Sequence, residues 1–403
     1  MSFSRRSVEE HSAHVAELLA MALYAVEELV DLDDALDRVT ATAIASPHDL
    51  PLFRNSQMDG FAVVASDVAT APVTLPVVGE LPARALDPGA LRPGTTVRIM
   101  TGAVVPPGAD AVVPVEDTRA DGPGRVLIER ARTAGEYVRE RGSDVRTGDE
   151  LVAVGTRLAS RHLAVLAAAG ITTVSVRRRA RVAVVTTGAE LVAPGAIPTL
   201  GQVFDSNGTA LAAAVRSAGA DVTLRARVAD DGADFRRVLE QAVLSADLVL
   251  TSGGISMGDY EVVRETLAPL GAEIGSVAMQ PGGPQATAVV AGVPIVCFPG
   301  NPVSTQVSFE VFVAPLLRRA AGLPARVVES RRAASDVRSV PGKRQFLRGR
   351  LGERGSTDDG VVRLVSGPGS HLVAGLAAAD ALVIVPEDVD LVKAGDPVET
   401  WRL

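Results

Sequence analysis

Three short segments of this chain combine glycine, hydroxyl and acidic side chains in a way that suits chemistry on a phosphorylated ligand. They are Thr186-Thr187-Gly188-Ala189-Glu190, Thr251-Ser252-Gly253-Gly254-Ile255-Ser256-Met257-Gly258-Asp259-Tyr260 and Phe298-Pro299-Gly300-Asn301-Pro302-Val303-Ser304. Each comes at the end of a predicted strand, where open α/β sheets bind ligands. Glycines let backbone N–H groups approach an anion, and the positive end of the following helix faces the same place. Asn301 and Pro302 fit an N-cap and a first helical position. The acidic residues near these turns are Glu190, Asp205, Asp230, Asp231 and Asp259. Carboxylates beside a phosphate-binding loop call for a divalent cation between the two. Any one such turn also suits a plain strand-to-helix connection, and Asp230-Asp231-Gly232 also reads as a solvated turn.

Other chemistries find less support. There is no P-loop and no G-x-G-x-x-G after a strand. Gly254-Ile255-Ser256-Met257-Gly258 matches G-x-S-x-G, with His371 downstream, as in a serine hydrolase. The extra glycine run Ser252-Gly253-Gly254 before the turn, and a His371 placed in a separate β region, weigh against it. His11 and His14 stand at helical spacing and could share a metal, yet His48, His162 and His371 offer no third ligand; surface histidines are the expectation. Cys297, between Val296 and Phe298, reads as a buried, inert thiol. Two further segments place polar residues between apolar flanks: Arg54-Asn55-Ser56-Gln57-Met58-Asp59-Gly60 and Arg98-Ile99-Met100-Thr101-Gly102-Ala103.

The elements that must position these residues follow from periodicity. Helical spacing predicts one long helix over 8–30 and a short one over 32–39. Short β-branched runs broken by Pro and Gly predict a β domain over 61–138, and 158–169 is again helical. If 158–169 rejoins the N-terminal helices, that β domain is an insertion. From Arg181 the pattern alternates strand and helix, ending in a long helix over 302–321, which predicts a parallel sheet with helices on both faces. The last stretch, 326–403, reads as a small β domain. The fold class is thus multidomain α/β. With 403 residues, 47% hydrophobic and 22% charged, the chain is long enough for two to four globular domains. A net charge of −8 and 3% aromatic residues argue against a nucleic-acid binder. No apolar run is long enough for a membrane span, and no secretory signal is visible, so a cytoplasmic protein is expected. Lys343 and Lys393 are the only lysines. An oxyanion site must therefore use arginine, amides, helix ends or a metal.

Seven ordered motifs together resemble the molybdopterin molybdenumtransferase family (MoeA and the gephyrin E domain). They are Asn55–Val63 (N-S-x-M-D-G-[YF]-A-V), Arg98–Ala103 (R-I-M-T-G-A), Gly108–Val113 (G-A-D-A-V-V), Thr187–Leu191 (T-G-x-E-L), Gly201–Asn207 (G-Q-[IV]-[YF]-D-[ST]-N), Ser252–Tyr260 (S-G-G-[IV]-S-x-G with D-Y) and Pro299–Ser304 (P-G-N-P-V-S). The resemblance implies a four-domain homodimer. Its expected parts are an elongated helical domain (1–52 and 139–177), an inserted β domain (53–138), a MogA-like three-layer α/β domain that binds molybdopterin (178–325) and a C-terminal β domain (326–403). It implies insertion of molybdate into adenylated molybdopterin, with Mg²⁺-assisted cleavage of the adenylate and release of AMP. The active-site residues it implies are Asp59, Thr101, Glu190, Asp230 and Asp259, with Glu190, Asp230 and Asp259 on Mg²⁺. Asp59 and Thr101 would face the α/β domain of the partner subunit. Thr187, Gly188, Asp205, Ser206, Asn207, Ser252, Gly253, Gly254, Ser256, Gln280, Pro299, Gly300, Asn301 and Ser304 would bind the substrate. Asp144, in a variant R-x-x-G-S-D motif, is a further candidate.

One departure bears on the chemistry. The family stretch K-x-x-x-K-P-G-K-P reads here Ser276-Val277-Ala278-Met279-Gln280-Pro281-Gly282-Gly283-Pro284, without its three lysines. The expectation is weaker molybdate affinity, or replacement by arginines such as Arg344, Arg348 and Arg350. The same departure leaves room for a paralogue that adenylates or binds molybdopterin without inserting metal. A scaffold role, as in gephyrin, finds no fused second domain to support it.

Overall fold

The computed structural model describes residue 3 and residues 5–24, 26–255 and 261–403. They form two compact units, one of residues 1–28 with 177–403 and one of residues 29–176. Among the described residues no helix is long and apolar enough to cross a membrane.

The first helix, α1 (Val8–Tyr24), is shorter than its periodicity suggests, because Glu27–Asp31 is a strand. Val30 and Leu32, two residues apart, both reach a core of Ala35, Val152, Leu158, Leu166, Val174 and Val176. That is strand spacing. The helix expected over 32–39 is a single 3₁₀ turn, Leu32–Asp34, and Asp37 follows with φ +64°, a left-handed conformation no helix continues through. In the same unit, α2 (Ser160–Ala168) falls where its spacing places it.

The β portion of residues 29–176 is a six-stranded sheet in the order Ala111–Pro114, Gly60–Val63, Thr96–Ile99, Val73–Leu81, Arg125–Ile128, Thr118–Ala120. Gly60–Val63 pairs antiparallel with both Thr96–Ile99 and Ala111–Pro114. Gly60 is required there, since a Cβ would fall inside the Val113 carbonyl group.

In the other unit a six-stranded sheet runs Asp221–Val228, Arg181–Thr187, Leu248–Ser252, Val293–Phe298, Pro284–Val290, Glu273–Ser276. The first four strands are parallel and the last two pairings antiparallel, so the wholly parallel sheet expected from the pattern is corrected to a mixed one. The cause is local. Ala291 (φ +51°) and Gly292 (φ +81°) make a two-residue turn between Pro284–Val290 and Val293–Phe298. Such a turn returns the chain as a hairpin, whereas a parallel step needs a crossover.

Alternate strand residues feed two cores. Val182, Val184, Leu250 and Phe298 pack with α1, with α3 (Ser206–Ser217) and with the closing helix. Ala183, Val185, Val249 and Cys297 pack with α4 (Gly232–Ser245) and α5 (Val262–Leu267). This two-sided burial explains the continuous apolar strands. The closing helix is not continuous. It runs as α6 (Pro302–Ser308), a π turn (Phe309–Val313) and α7 (Ala314–Ala320), with Pro315 removing one N–H from the α ladder. Residues 328–402 close a five-stranded barrel, Arg344–Leu351 pairing with both Val361–Leu364 and Ala381–Val385.

Two minor expectations meet different outcomes. Cys297 is fully buried, and desolvation pushes its thiol up to about 12. His11 is not a surface histidine. It is fully buried against Phe312, with ring centroids 4.7 Å apart, and burial takes it down to about 3.

Gly60→Ala is expected to destabilise its unit by roughly 1–3 kcal/mol through overpacking against fixed backbone. Chemical denaturation followed by circular dichroism reads the loss; an unchanged midpoint would contradict the close approach.

Candidate active site

At the carboxyl ends of strands Arg181–Thr187, Leu248–Ser252 and Val293–Phe298 lies a cleft of about 510 Å³. Of the substrate-binding residues expected from sequence, Thr187, Gly188, Asp205, Ser206, Asn207, Ser252, Gly253, Gly254, Pro299, Gly300, Asn301 and Ser304 line it, and so do Glu190 and Asp230. Ser256 and Asp259 lie outside the described residues.

The loops that form the cleft are tied to one another by buried side chains. Asn207, in the first turn of α3, donates from Nδ2 to Ser252 Oγ (2.9 Å) and to the Gly300 carbonyl (2.7 Å). Ser252 Oγ lies 2.9 Å from Thr305 Oγ1, which donates to the Pro299 carbonyl at 2.6 Å. Asp205 caps α3 by accepting from the Gly208 N–H (2.9 Å), and its other oxygen accepts from Thr186 Oγ1 (2.9 Å). Buried and with both oxygens engaged, Asp205 holds the helix to the strand end rather than offering a charge to a ligand. Asp230 accepts from the Ala189 N–H at 3.0 Å, which joins the two acidic turns. The glycines answer to close approach. Gly253 has φ +97°, and a Cβ there would stand 2.5 Å from the Thr187 carbonyl oxygen.

The electrostatics of the cleft are one-sided. Glu190, Asp205, Asp230 and Glu261 line it, with no arginine or lysine among the described residues. Of the arginines expected as replacements, none lines the cleft among the described residues. Arg344 is held by Glu9 and by Glu387 (3.0 Å), and the buried Arg348 donates to the carbonyls of Gly367 and Gly369. Arg350 is on the same barrel strand and, like them, does not line the cleft. Gln280 does not line it either; its Oε1 accepts from Gln345 Nε2 at 3.0 Å where Met279–Gln280 pairs with Arg344 and Gln345. A divalent cation suits the carboxylates present, which are hard oxygen donors. Among the described residues no group of three His, Cys, Asp or Glu side chains gathers as a ready metal site.

Residues 29–176 bring Asp59 and Thr101 together. The backbone N–H and the hydroxyl of Thr101 both donate to Asp59 Oδ1, each at 2.7 Å. The two motifs are stitched by backbone bonds, Gly102 N–H to the Ser56 carbonyl and Ser56 N–H to the Ala103 carbonyl. The Thr101 N–H bond and then its hydroxyl hold the exposed Asp59 carboxyl below its usual range, opposed by desolvation, with the charge of Arg98 contributing least. Asp144 is exposed on a turn whose N–H bonds the Leu50 carbonyl.

Sequence reasoning named Thr186 only within its turn and did not single out Thr305, which like it holds a loop end, or Glu261 and Phe204, which line the cleft. Their signal was present as motif neighbours: Thr186 precedes Thr187, Thr305 follows Ser304, Glu261 follows Tyr260 and Phe204 precedes Asp205.

Thr101→Val removes the hydroxyl donor and keeps the backbone one. The Asp59 pKa is expected to rise toward the ordinary carboxylate value. Carboxyl-carbon NMR titration of Asp59 checks this, and a pKa that stays put or falls would contradict the bond.

The comparisons with known proteins agree along the chain. Residues 6–170 match the MoeA N-terminal region (domain I and II), 183–319 a probable molybdopterin binding domain, and 330–403 the MoeA C-terminal region (domain IV). Molybdopterin molybdenumtransferase 2 of Mycobacterium tuberculosis is 43% identical over 411 residues, covering 99% of this chain and 100% of that protein. The molybdopterin molybdenumtransferase of a Nostoc species is 37% identical, covering 93% of this chain and 88% of its own length. A crystal structure of the molybdopterin biosynthesis moeA protein from Pyrococcus horikosii is 32% identical, with a TM-score of 0.83 and 99% of each chain covered. With relatives this similar over 88% or more of their lengths, the chain belongs to the molybdopterin molybdenumtransferase (MoeA) family.

Proposed function

We propose that this protein inserts molybdate into adenylated molybdopterin and cleaves the adenylate, releasing AMP and molybdenum cofactor. The observation that carries this reading is the cleft at the strand ends, where Glu190 and Asp230 stand beside glycine-rich turns with no cationic side chain among the described lining. Glu190, Asp230 and Asp259 are the residues we assign to Mg²⁺, which when bound offsets the charge of the pyrophosphate and polarises the phosphoryl group under attack. Gly188, Gly253, Gly254 and Gly300 let the backbone come close to the substrate. Asn207, Ser252 and Thr305 keep those loops in register. Asp59, held ionised by Thr101, serves as an acceptor or base, and Asp144 is a further candidate for this part of the site. We further propose a cytoplasmic homodimer in which the Asp59 region of one copy serves the cleft of the other. Its four parts are 1–52 with 139–177, 53–138, 178–325 and 326–403.

Incubation with adenylated molybdopterin, Mg²⁺ and molybdate is expected to release AMP and to reconstitute an apo-molybdoenzyme, with both outputs lost in EDTA. Adenylate cleavage without reconstitution would exclude metal insertion. Co-expressing Asp59→Asn with Asp230→Asn is expected to restore activity that neither variant has alone; no restoration in purified mixed dimers would place the whole site within one copy.

The missing family lysines give a second expectation. An ammonium group four residues before Pro284 adds Coulomb attraction for an oxyanion, so Gln280→Lys is expected to lower the molybdate concentration needed for half-maximal cofactor formation. An unchanged dependence removes the idea that charge at this position governs molybdate capture.

A further inference from the structure

The chain has nine phenylalanines, three tyrosines and one tryptophan, and Phe204 is the one aromatic ring among the described residues that line the cleft. It is 47% exposed, and its neighbour Val203 is 53% exposed. A single exposed apolar residue means little, since folded proteins carry many. Here the setting is specific. Leu191–Val192 and Val203–Phe204 form a two-stranded parallel ribbon. The Val203 N–H donates to the Glu190 carbonyl (2.9 Å), and the Asp205 N–H donates to the Val192 carbonyl (2.8 Å). Phe204 is thus pinned on both sides. One neighbour is bonded to the acidic turn of Glu190, and the other is the N-cap of α3.

The cleft consequently has two kinds of lining. Leu191, Val203 and Phe204 contribute apolar surface, while Gly188, Gly253, Gly254 and Gly300 contribute close backbone. A ligand that fits both has a flat, weakly polar body and an anionic end. Fused nitrogen heterocycles carrying phosphate have that form, and aromatic side chains bind them by offset stacking on the ring face.

We propose that Phe204 is the stacking platform for a fused nitrogen heterocycle, a pteridine or a purine, of the bound substrate. The inference rests on the function proposed above and adds a binding residue to it. The ring takes no part in bond making, so its contribution is to ground-state and transition-state binding alike. Its removal should raise KM and leave kcat unchanged.

The test uses the full-length protein with Phe204→Ala, Phe204→Leu and Phe204→Tyr. Calorimetric titrations employ AMP as the purine probe and 6-carboxypterin as the pteridine probe, and steady-state AMP release employs adenylated molybdopterin. Alanine and leucine are each expected to weaken one of the two probes about tenfold and to raise KM by the same factor, while tyrosine retains the wild-type values. The probe that weakens identifies the ring that stacks. Leucine binding as well as phenylalanine would overturn stacking in favour of plain bulk, and unchanged binding of both probes by all three variants would overturn the proposal entirely. Thermal unfolding of each variant controls for folding, with the half-exposed position expected to tolerate all three. Wild-type protein that binds a probe through Phe204 yet releases no AMP would refute the proposed reaction and leave the platform standing; AMP release that is indifferent to Phe204 would do the reverse.

Discussion

The carboxamide of Asn207 is the interaction on which the cleft depends. One NH₂ group reaches two loops, bonding Ser252 Oγ and the Gly300 carbonyl, and it does so from a helix whose N-cap, Asp205, is itself bonded to the strand residue Thr186. Three strand ends that are far apart in sequence are thereby held at fixed spacing. The side chains of Asn207, Ser252, Asp205 and Thr186 are buried, whereas Gly300 is exposed. Losing the donor would cost the two bonds, about 1 kcal/mol each, while Ser252 Oγ keeps Thr305 as a partner and the Gly300 carbonyl turns to water. Thr305 extends the same network to the Pro299 carbonyl, so the glycine-rich turns above it need no rigidity of their own.

Charge is distributed in a way that complements this. The basic side chains are almost all arginine, and many of them are committed to the scaffold. Arg178 and Arg181 both bond Asp247, Arg326 pairs with the half-buried Glu310, and Arg331 and Arg402 meet at Glu329. The described part of the cleft is left with carboxylates, neutral polar side chains and backbone. The described lining thus offers no cationic side chain to an anion, and its hard oxygen donors suit a divalent cation. Desolvating a phosphate against bare carboxylates would otherwise be strongly unfavourable.

Asp59 and Thr101 show the opposite device. Two donors from one residue converge on one carboxylate oxygen, so the anionic form is stabilised without any buried cation. The arrangement is built by antiparallel pairing of Gly60–Val63 with Thr96–Ile99 and by the tolerance of Gly60 for the Val113 carbonyl. It explains why a polar segment at 54–60 and another at 98–103 occur together: each supplies half of one hydrogen-bonded corner.

Much of this was legible in the amino-acid sequence. Gly188, Gly253 and Gly300 announced the strand-end turns, Glu190 and Asp230 the acidic rim, and the runs 182–186 and 248–251 a sheet covered on both faces, because these are local properties of residue type and spacing. What the sequence could not determine was which groups would spend their hydrogen bonds on one another. Asp205 reads as a free carboxylate until Thr186 and Gly208 occupy it, Arg344 and Arg348 read as available cations until Glu9, Glu387 and two glycine carbonyls engage them, and His11 reads as a surface residue until Phe312 covers it. The direction of the strand Pro284–Val290 likewise waited on a two-residue turn at Ala291-Gly292. Residue type sets what a side chain can do, whereas its partners are chosen by folding from anywhere in the chain, and only the tertiary structure decides which capacities remain for a ligand.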